Sequence, residues 1–375
     1  MANVFDYLEW RGDIPLDADP FNEVDNLVLA MLSYTDFGGI VGGDGKRIPL
    51  GEACRVFFSQ HTREEILART SFTAKAPLMM EKMIRGQRFG NMTLRNYTEE
   101  SGDGYQLAAV TFGLDDGTEY VAFRGTDGTV AGWKEDFNFS FMDETEGQRL
   151  AVQYLSGITA GGTGDNLRVG GHSKGGNLAI YASAFCEGGE RIFEVYSNDG
   201  PGFKEEIVQR DGFAENLAKV KKFIPDSSII GLMLSDGEDY TVVKSTAMGI
   251  KQHDAFTWKV ERNRFVKAPL SDMSKVTKKL IGTWLETMKD EERQTFTELI
   301  FTLIESTGQE RFSSMKADKL KTAESILNAV RLMPKEKQQE AMKLLGVMGL
   351  RGGQKIADFL ARKTNELPGL FGKKN

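Results

Sequence analysis

The chain has 375 residues, 40% of them hydrophobic and 27% charged, with a formal net charge of −7. This is ordinary globular composition, enough to bury a core and long enough for two domains or one α/β domain with a large appendage. The negative balance gives no reason to expect nucleic acid as a partner, and no run approaches about 18 consecutive apolar residues, so no membrane-spanning helix is expected.

The opening segment, Met1-Ala-Asn-Val-Phe-Asp-Tyr-Leu-Glu-Trp10, carries acids and no basic stretch, which argues against a signal peptide. Residues 1–90 read as a helical region packed on the core. Within it, Asp25–Tyr34 is an apolar helix, Ile48–Phe58 a second, and Thr62–Ala68 a third with Glu64 and Glu65 in its first turn. His61 stands just before that start and reads as a surface or capping residue. Residues 71–90 are expected as one further basic helix ending at Gly90. Cys54 and Cys186 lie far apart and match no metal-ligand spacing, so no metal is expected and a reduced, cytoplasmic setting is.

The β pattern begins at Met92–Tyr97 and Gln106–Phe112, separated by the turn signal Ser101-Gly-Asp-Gly104, and continues at Glu119–Phe123. A sharp exit, Arg124-Gly125-Thr126-Asp127, follows. Residues 144–158 are helical. Leu167–Val169, Arg191–Tyr196, Val220–Ile224 and Tyr240–Lys244 then read as short buried strands alternating with helices. This alternation predicts an α/β fold with a mostly parallel central sheet covered on both faces over residues 91–267.

From about Ala268 the β signal stops. Helices are expected at Ser274–Met288, Asp290–Ser306, Ala317–Leu332 and Glu336–Leu345, one of them with an apolar stripe at Phe296, Leu299, Ile300, Leu303 and Ile304. Residues 268–375 are therefore expected as a helical cap or appendage. Residues 311–375 hold 14 Lys and Arg against 6 Asp and Glu. This basic tail reads either as a peripheral membrane contact or as a solvated face balancing an acidic body.

The strongest chemical signal is Gly171-His-Ser-Lys-Gly175 between a short strand and a helix, the context of a nucleophile elbow. A serine on such a turn needs small residues two positions before and after it, and Gly171 and Gly175 supply them, with Gly176 letting the helix pack close. A serine nucleophile needs a base and a carboxylate to orient that base. Of the three histidines, His172 adjoins Ser173 and points into the fold, His61 precedes the sheet, and His253 lies in a loop after a late strand, where the base is expected. For the acid, Asp226 at the end of Val220–Ile224 is favoured over Asp199. The oxyanion hole is expected from the Lys174 amide and from the strand exit at Gly125-Thr126, with the Thr126 hydroxyl steadying the charge.

Val121-Ala-Phe-Arg-Gly-Thr126, Gly132-Trp133-Lys-Glu-Asp136, Gly171-His-Ser-Lys-Gly-Gly176, Pro225-Asp226 and His253 together resemble the fungal-type (class 3) lipase group of α/β-hydrolases. Phe5-Asp-Tyr-Leu-Glu-Trp-Arg-Gly12 and Phe21-Asn-Glu-Val-Asp25 are most similar to that group's bacterial Mbeg-like branch. The resemblance implies an α/β-hydrolase fold, a triad of Ser173, Asp226 and His253, and oxyanion amides at Thr126 and Lys174. Lipases of this group usually carry an apolar residue after the serine. Here it is Lys174, whose ammonium is expected either beside the acyl pocket, favouring an anionic or polar substrate, or in solvent.

The expected activity is that of a serine ester hydrolase acting on a small-molecule or lipid ester through an acyl-enzyme, with no cofactor. Two alternatives remain open from sequence: a non-catalytic lipid- or protein-binding module with the same fold, and a thioesterase or acyltransferase using the same residues.

Overall fold

The computed structural model describes residues 2–294 apart from 70, 72, 103, 127–134, 137, 162–165, 235–238, 273, 276–277, 279–289 and 292. Met1–Arg293 form one compact unit and Gln294–Asn375 a second. The helices expected beyond 274, the apolar stripe from Phe296 to Ile304 and the basic tail lie almost wholly outside the described residues, as does the Gly132-Trp133-Lys134 part of the lipase-like motif. Among the described residues no helix is long and apolar enough to cross a membrane.

The first unit is built on one eight-stranded sheet whose strands follow chain order: β1 Ile48–Pro49, β2 Thr93–Gly102, β3 Tyr105–Gly113, β4 Glu119–Phe123, β5 Leu167–His172, β6 Ile192–Asn198, β7 Val220–Pro225 and β8 Tyr240–Val243. Pairing is antiparallel from β1 to β4 and parallel from β4 to β8. The change of direction follows from the connections. Tight turns join β2, β3 and β4, whereas helices carry the chain back after β4, β5 and β6. The result is an α/β fold with a mostly parallel central sheet covered by helices on both faces, as expected.

Every residue of β4 and β5 is buried, and the period-2 alternation sorts β4 into two cores. Tyr120 and Ala122 face one side with Leu27, Val28 and Met31 of the helix Glu23–Leu32. Val121 and Phe123 face the other, with Ala151 and Leu155 of the helix Glu146–Ala160 and Leu178 and Ala179 of the helix Lys174–Phe185. The apolar helix expected at Asp25–Tyr34 is thus the cover of one sheet face. It starts two residues earlier because Asn22 caps it, taking the amides of Val24 and Asp25 while Asp25 takes the Asn22 amide.

Two elements differ from expectation. Ile48 and Pro49 belong to an edge strand against Leu94 and Thr93, and the helix proper is Leu50–Gln60. Residues 71–90 are not one helix. They break into a 3₁₀ turn, Ala76–Met79, and two short helices, Met80–Met83 and Gln87–Gly90. Pro77 denies the turn an amide donor. At Gly86 an added Cβ would strike the Gly12 backbone, because the chain there docks on Gly12, whose carbonyl takes the Arg88 amide at 2.9 Å. The basic residue Arg88 lies in the core, not on a solvated face.

Candidate active site

β5 ends at His172, and Ser173 occupies the turn into the helix Lys174–Phe185 with φ 57° and ψ −132°. That conformation is sparsely populated for any residue with a Cβ, and it directs the hydroxyl away from the strand. Neighbouring glycines make the turn possible. A Cβ at Gly171 would strike the Gly175 backbone, and one at Gly175 the Phe123 carbonyl oxygen. On the helix side, a Cβ at Gly176 would stand 2.6 Å from the Ser197 hydroxyl.

His253 ends a 3₁₀ turn, Gly249–His253, after β8. Its Nε2 lies 2.9 Å from the Ser173 Oγ, and its Nδ1 lies 2.7 Å from the Asp199 Oδ2. All three side chains are buried. Asp199 follows β6 and, like Ser173, has a positive φ, 52°. Its other oxygen accepts from the Ser228 hydroxyl at 2.6 Å and the Gly231 amide at 3.1 Å. Burial pushes the Asp199 carboxyl up, but the hydrogen bond and charge of His253, with the Ser228 hydroxyl, outweigh it and hold the group below its ordinary value. An ionised Asp199 selects the tautomer that donates from Nδ1, leaving the Nε2 lone pair for the Ser173 proton.

The carboxylate on His253 is therefore Asp199, not the favoured Asp226. The reason is strand order. β6 adjoins β5, so the end of β6 lies one strand spacing, about 4.8 Å, from the serine, whereas β7 lies two spacings away. Asp226 instead takes the Gln252 side-chain amide at 2.8 Å and the Ser227 hydroxyl at 3.1 Å. Gln252 in turn accepts the Ser227 amide at 2.8 Å. Asp226 thus braces the residue before His253 without touching the imidazole.

His172 points inward, as expected for its place, and has a second role the sequence did not reveal. Its ring lies beside that of His253, tilted by 36° with centroids 4.7 Å apart, and its Nε2 donates to the His253 carbonyl at 2.8 Å. The Tyr34 hydroxyl lies 3.0 Å from the other ring nitrogen. Burial, reinforced by the adjacent His253, lowers the His172 pKa to about 3, so the ring is neutral and this donor–acceptor order is fixed near neutral pH.

On the opposite side of Ser173, the β4 exit packs hard against the elbow. A Cβ at Gly125 would strike the His172 carbonyl oxygen and the Tyr34 hydroxyl. Thr126 follows, but its hydroxyl donates to the Asp136 Oδ2 at 2.9 Å, so its proton is already committed and only its amide is left for an oxyanion. Lys174 departs from both expectations for its side chain. The ammonium reaches neither acyl pocket nor solvent. It is wholly buried and donates to the Glu135 carboxylate at 2.7 Å and the Gln106 carbonyl at 2.6 Å.

Asp136 is half-buried, and its Oδ1 is shielded from solvent with no hydrogen-bond partner among the described residues. Burial raises its pKa to about 7, Glu135 adding to the rise, against the opposing pull of Lys174, the Thr126 hydroxyl and His253. A carboxyl with a raised folded-state pKa contributes full stability below its unfolded value near 4, and that contribution falls away as pH rises toward 7. Asp136→Asn is accordingly expected to melt higher than the parent at pH 8 and to lose that advantage at pH 4, a difference that paired thermal scans measure directly.

No curated protein matches the chain. A family model described as Mbeg1-like matches residues 83–302. Among solved structures, one titled as the crystal structure of M37 lipase is similar at 16% identity, covering 46% of this chain and 70% of its own, with a TM-score of 0.31.

Proposed function

The chain belongs to the Mbeg1-like family of lipase-like α/β-hydrolases, and from that premise we propose that it is a serine ester hydrolase in which Ser173 is the nucleophile, His253 the general base and Asp199 the orienting acid. The observation that carries this reading is the continuous hydrogen-bond chain Ser173–His253–Asp199, at 2.9 and 2.7 Å. A fold kept only for binding would have no need of that chain or of the strained φ at Ser173 and Asp199.

In the proposed reaction the Ser173 Oγ attacks the acyl carbonyl carbon while His253 Nε2 takes the hydroxyl proton. The tetrahedral oxyanion is met by the Lys174 and Thr126 amides. As the first residue of its helix, Lys174 has an N–H with no intrahelical acceptor, and the helix dipole favours negative charge there. His253 then returns the proton to the leaving alcohol oxygen. Water, deprotonated by the same imidazole, then attacks the acyl carbon, and the imidazolium returns that proton to the Ser173 Oγ as the acid is released. The side chains present suffice for these steps without a cofactor. The substrate we propose is a small-molecule or lipid ester. The free thiols of Cys54 and Cys186 support a reducing, cytoplasmic location.

The test is covalent labelling with a fluorophosphonate probe followed by peptide mapping, beside a panel of p-nitrophenyl esters and acyl-thioesters of graded chain length. A single modified residue, Ser173, together with ester turnover, is the expected result. An unlabelled, inert protein overturns the reading.

A further inference from the structure

The residue after the nucleophile must present its amide to the oxyanion, and here its side chain is a lysine with no exposed surface. Burying an ammonium and a carboxylate together is a poor route to stability. Desolvation opposes the pair by several kcal/mol per ion, and apolar side chains of similar volume are often as stable or more so. The Lys174–Glu135 pair therefore needs an explanation other than fold stability.

Its surroundings supply one. Glu135 is held by four donors from three parts of the chain. Oε2 accepts from the Lys174 ammonium at 2.7 Å and the Gln106 amide, at the start of β3, at 3.0 Å. Oε1 accepts from the Thr145 hydroxyl at 3.1 Å and the Gly147 amide at 2.9 Å. The last two groups open the helix Glu146–Ala160, whose dipole favours the anion. Gly147 is required at that point, since a Cβ there would strike the carboxylate. Lys174 is likewise held twice, by Glu135 and by the Gln106 carbonyl at 2.6 Å. The next residue along, Asp136, holds the Thr126 hydroxyl. Two consecutive acids thus grip the two residues whose amides face the oxyanion in the proposed reaction, and the first of them, Glu135, is braced on β3 and a helix N-terminus.

We propose that Glu135 is a positioning residue that acts through the Lys174 ammonium to fix the Lys174 amide, and so one donor of the oxyanion hole, relative to Ser173. The inference rests on the hydrolase reading above. An apolar side chain could fill the same volume, but it could not fix direction. A donor displaced by a fraction of an ångström loses most of its preorganised stabilisation of developing charge.

The experiment compares the parent with Glu135→Leu/Lys174→Met. The double variant is expected to melt within a few degrees of the parent or above it, since no unpaired ion is left buried. It should keep KM within about twofold while kcat falls about tenfold or more. Phosphonylation by the fluorophosphonate should slow in parallel, and the midpoint of the kcat/KM pH profile should not move, because His253 and Asp199 are untouched. Should the double variant fail to fold, Glu135→Gln/Lys174→Met carries the same test, since it too leaves no buried charge and its amide oxygen can still accept from the Gly147 amide. A variant with the parent's kcat, or one whose loss of kcat tracks a loss of melting temperature, overturns the proposal and leaves the pair a structural tie. A parent that neither labels nor turns over ester overturns instead the hydrolase reading on which the proposal rests.

Discussion

Asp199→Asn is expected to lower kcat by about 10⁴-fold, while Asp226→Asn leaves it within several-fold. Asp199 accepts from His253 Nδ1 at 2.7 Å and is itself fixed by Ser228 and Gly231. An asparagine there can present its amide N–H to the imidazole, favouring the tautomer whose proton sits on Nε2. That nitrogen would then be a donor toward the Ser173 hydroxyl and unable to accept its proton. The loss should fall on kcat, with KM little changed, and fluorophosphonate labelling should slow by a comparable factor. At Asp226 the group that matters is an acceptor for the Gln252 amide at 2.8 Å, and an asparagine oxygen can still accept it. A steady-state comparison of the two variants on one p-nitrophenyl ester decides between them. Equal losses, or the larger loss at Asp226, would sink the assignment of Asp199.

The ambiguity between those two acids shows where sequence reading reaches its limit. β3 to β7 are legible because buried strands in a mostly parallel sheet are short apolar runs closed by glycine, proline and aspartate, and each such run carries its own signal. The elbow was legible because its chemistry is local, with Ser173, Gly171 and Gly175 within five residues. His253 followed from the scarcity of histidine. The acid did not, because both β6 and β7 end in aspartate, and only the spatial order of the strands decides which end meets the imidazole. The direction of the Lys174 side chain was illegible for a similar reason. Its partner lies 39 residues earlier, and an isolated lysine reads as solvated. The burial of Arg88 is illegible in the same way, since its partner Asp25 lies 63 residues earlier. In both cases the partner is distant in sequence, and the sequence does not say what satisfies the charge.

Arg88 carries the largest expected effect on stability. Its side chain and that of Asp25 have no exposed surface. The guanidinium donates to Asp25 through Nε at 2.7 Å and through Nη2, and also to the carbonyls of Ile14, Asp19 and Pro20 at 3.1, 2.9 and 3.3 Å. Tyr7 donates to the same carboxylate at 2.7 Å. One side chain therefore ties the 14–20 loop, the helix Glu23–Leu32 and the 87–90 turn together. Burial still raises the Asp25 carboxyl above its ordinary value, the guanidinium only partly offsetting it, so the site depends on the pair staying intact. Arg88→Met strands a buried carboxylate and three carbonyls, and is expected to destabilise the first unit by about 3–5 kcal/mol, read as a fall in the urea midpoint. Adding Asp25→Asn removes the stranded charge but not the stranded carbonyls, so the double variant should recover only part of that loss. The damage should also reach the site by a defined route. The same helix carries Asn26, whose side-chain amide donates to the Asn198 oxygen at 2.9 Å, one residue before Asp199. Activity in Arg88→Met should therefore fail at the urea concentration where the fold fails, with the pH profile of the surviving enzyme unchanged. A midpoint equal to the parent's would mean that water reaches Asp25 and solvates it, and that the ion pair is not what holds the N-terminal helices to the sheet.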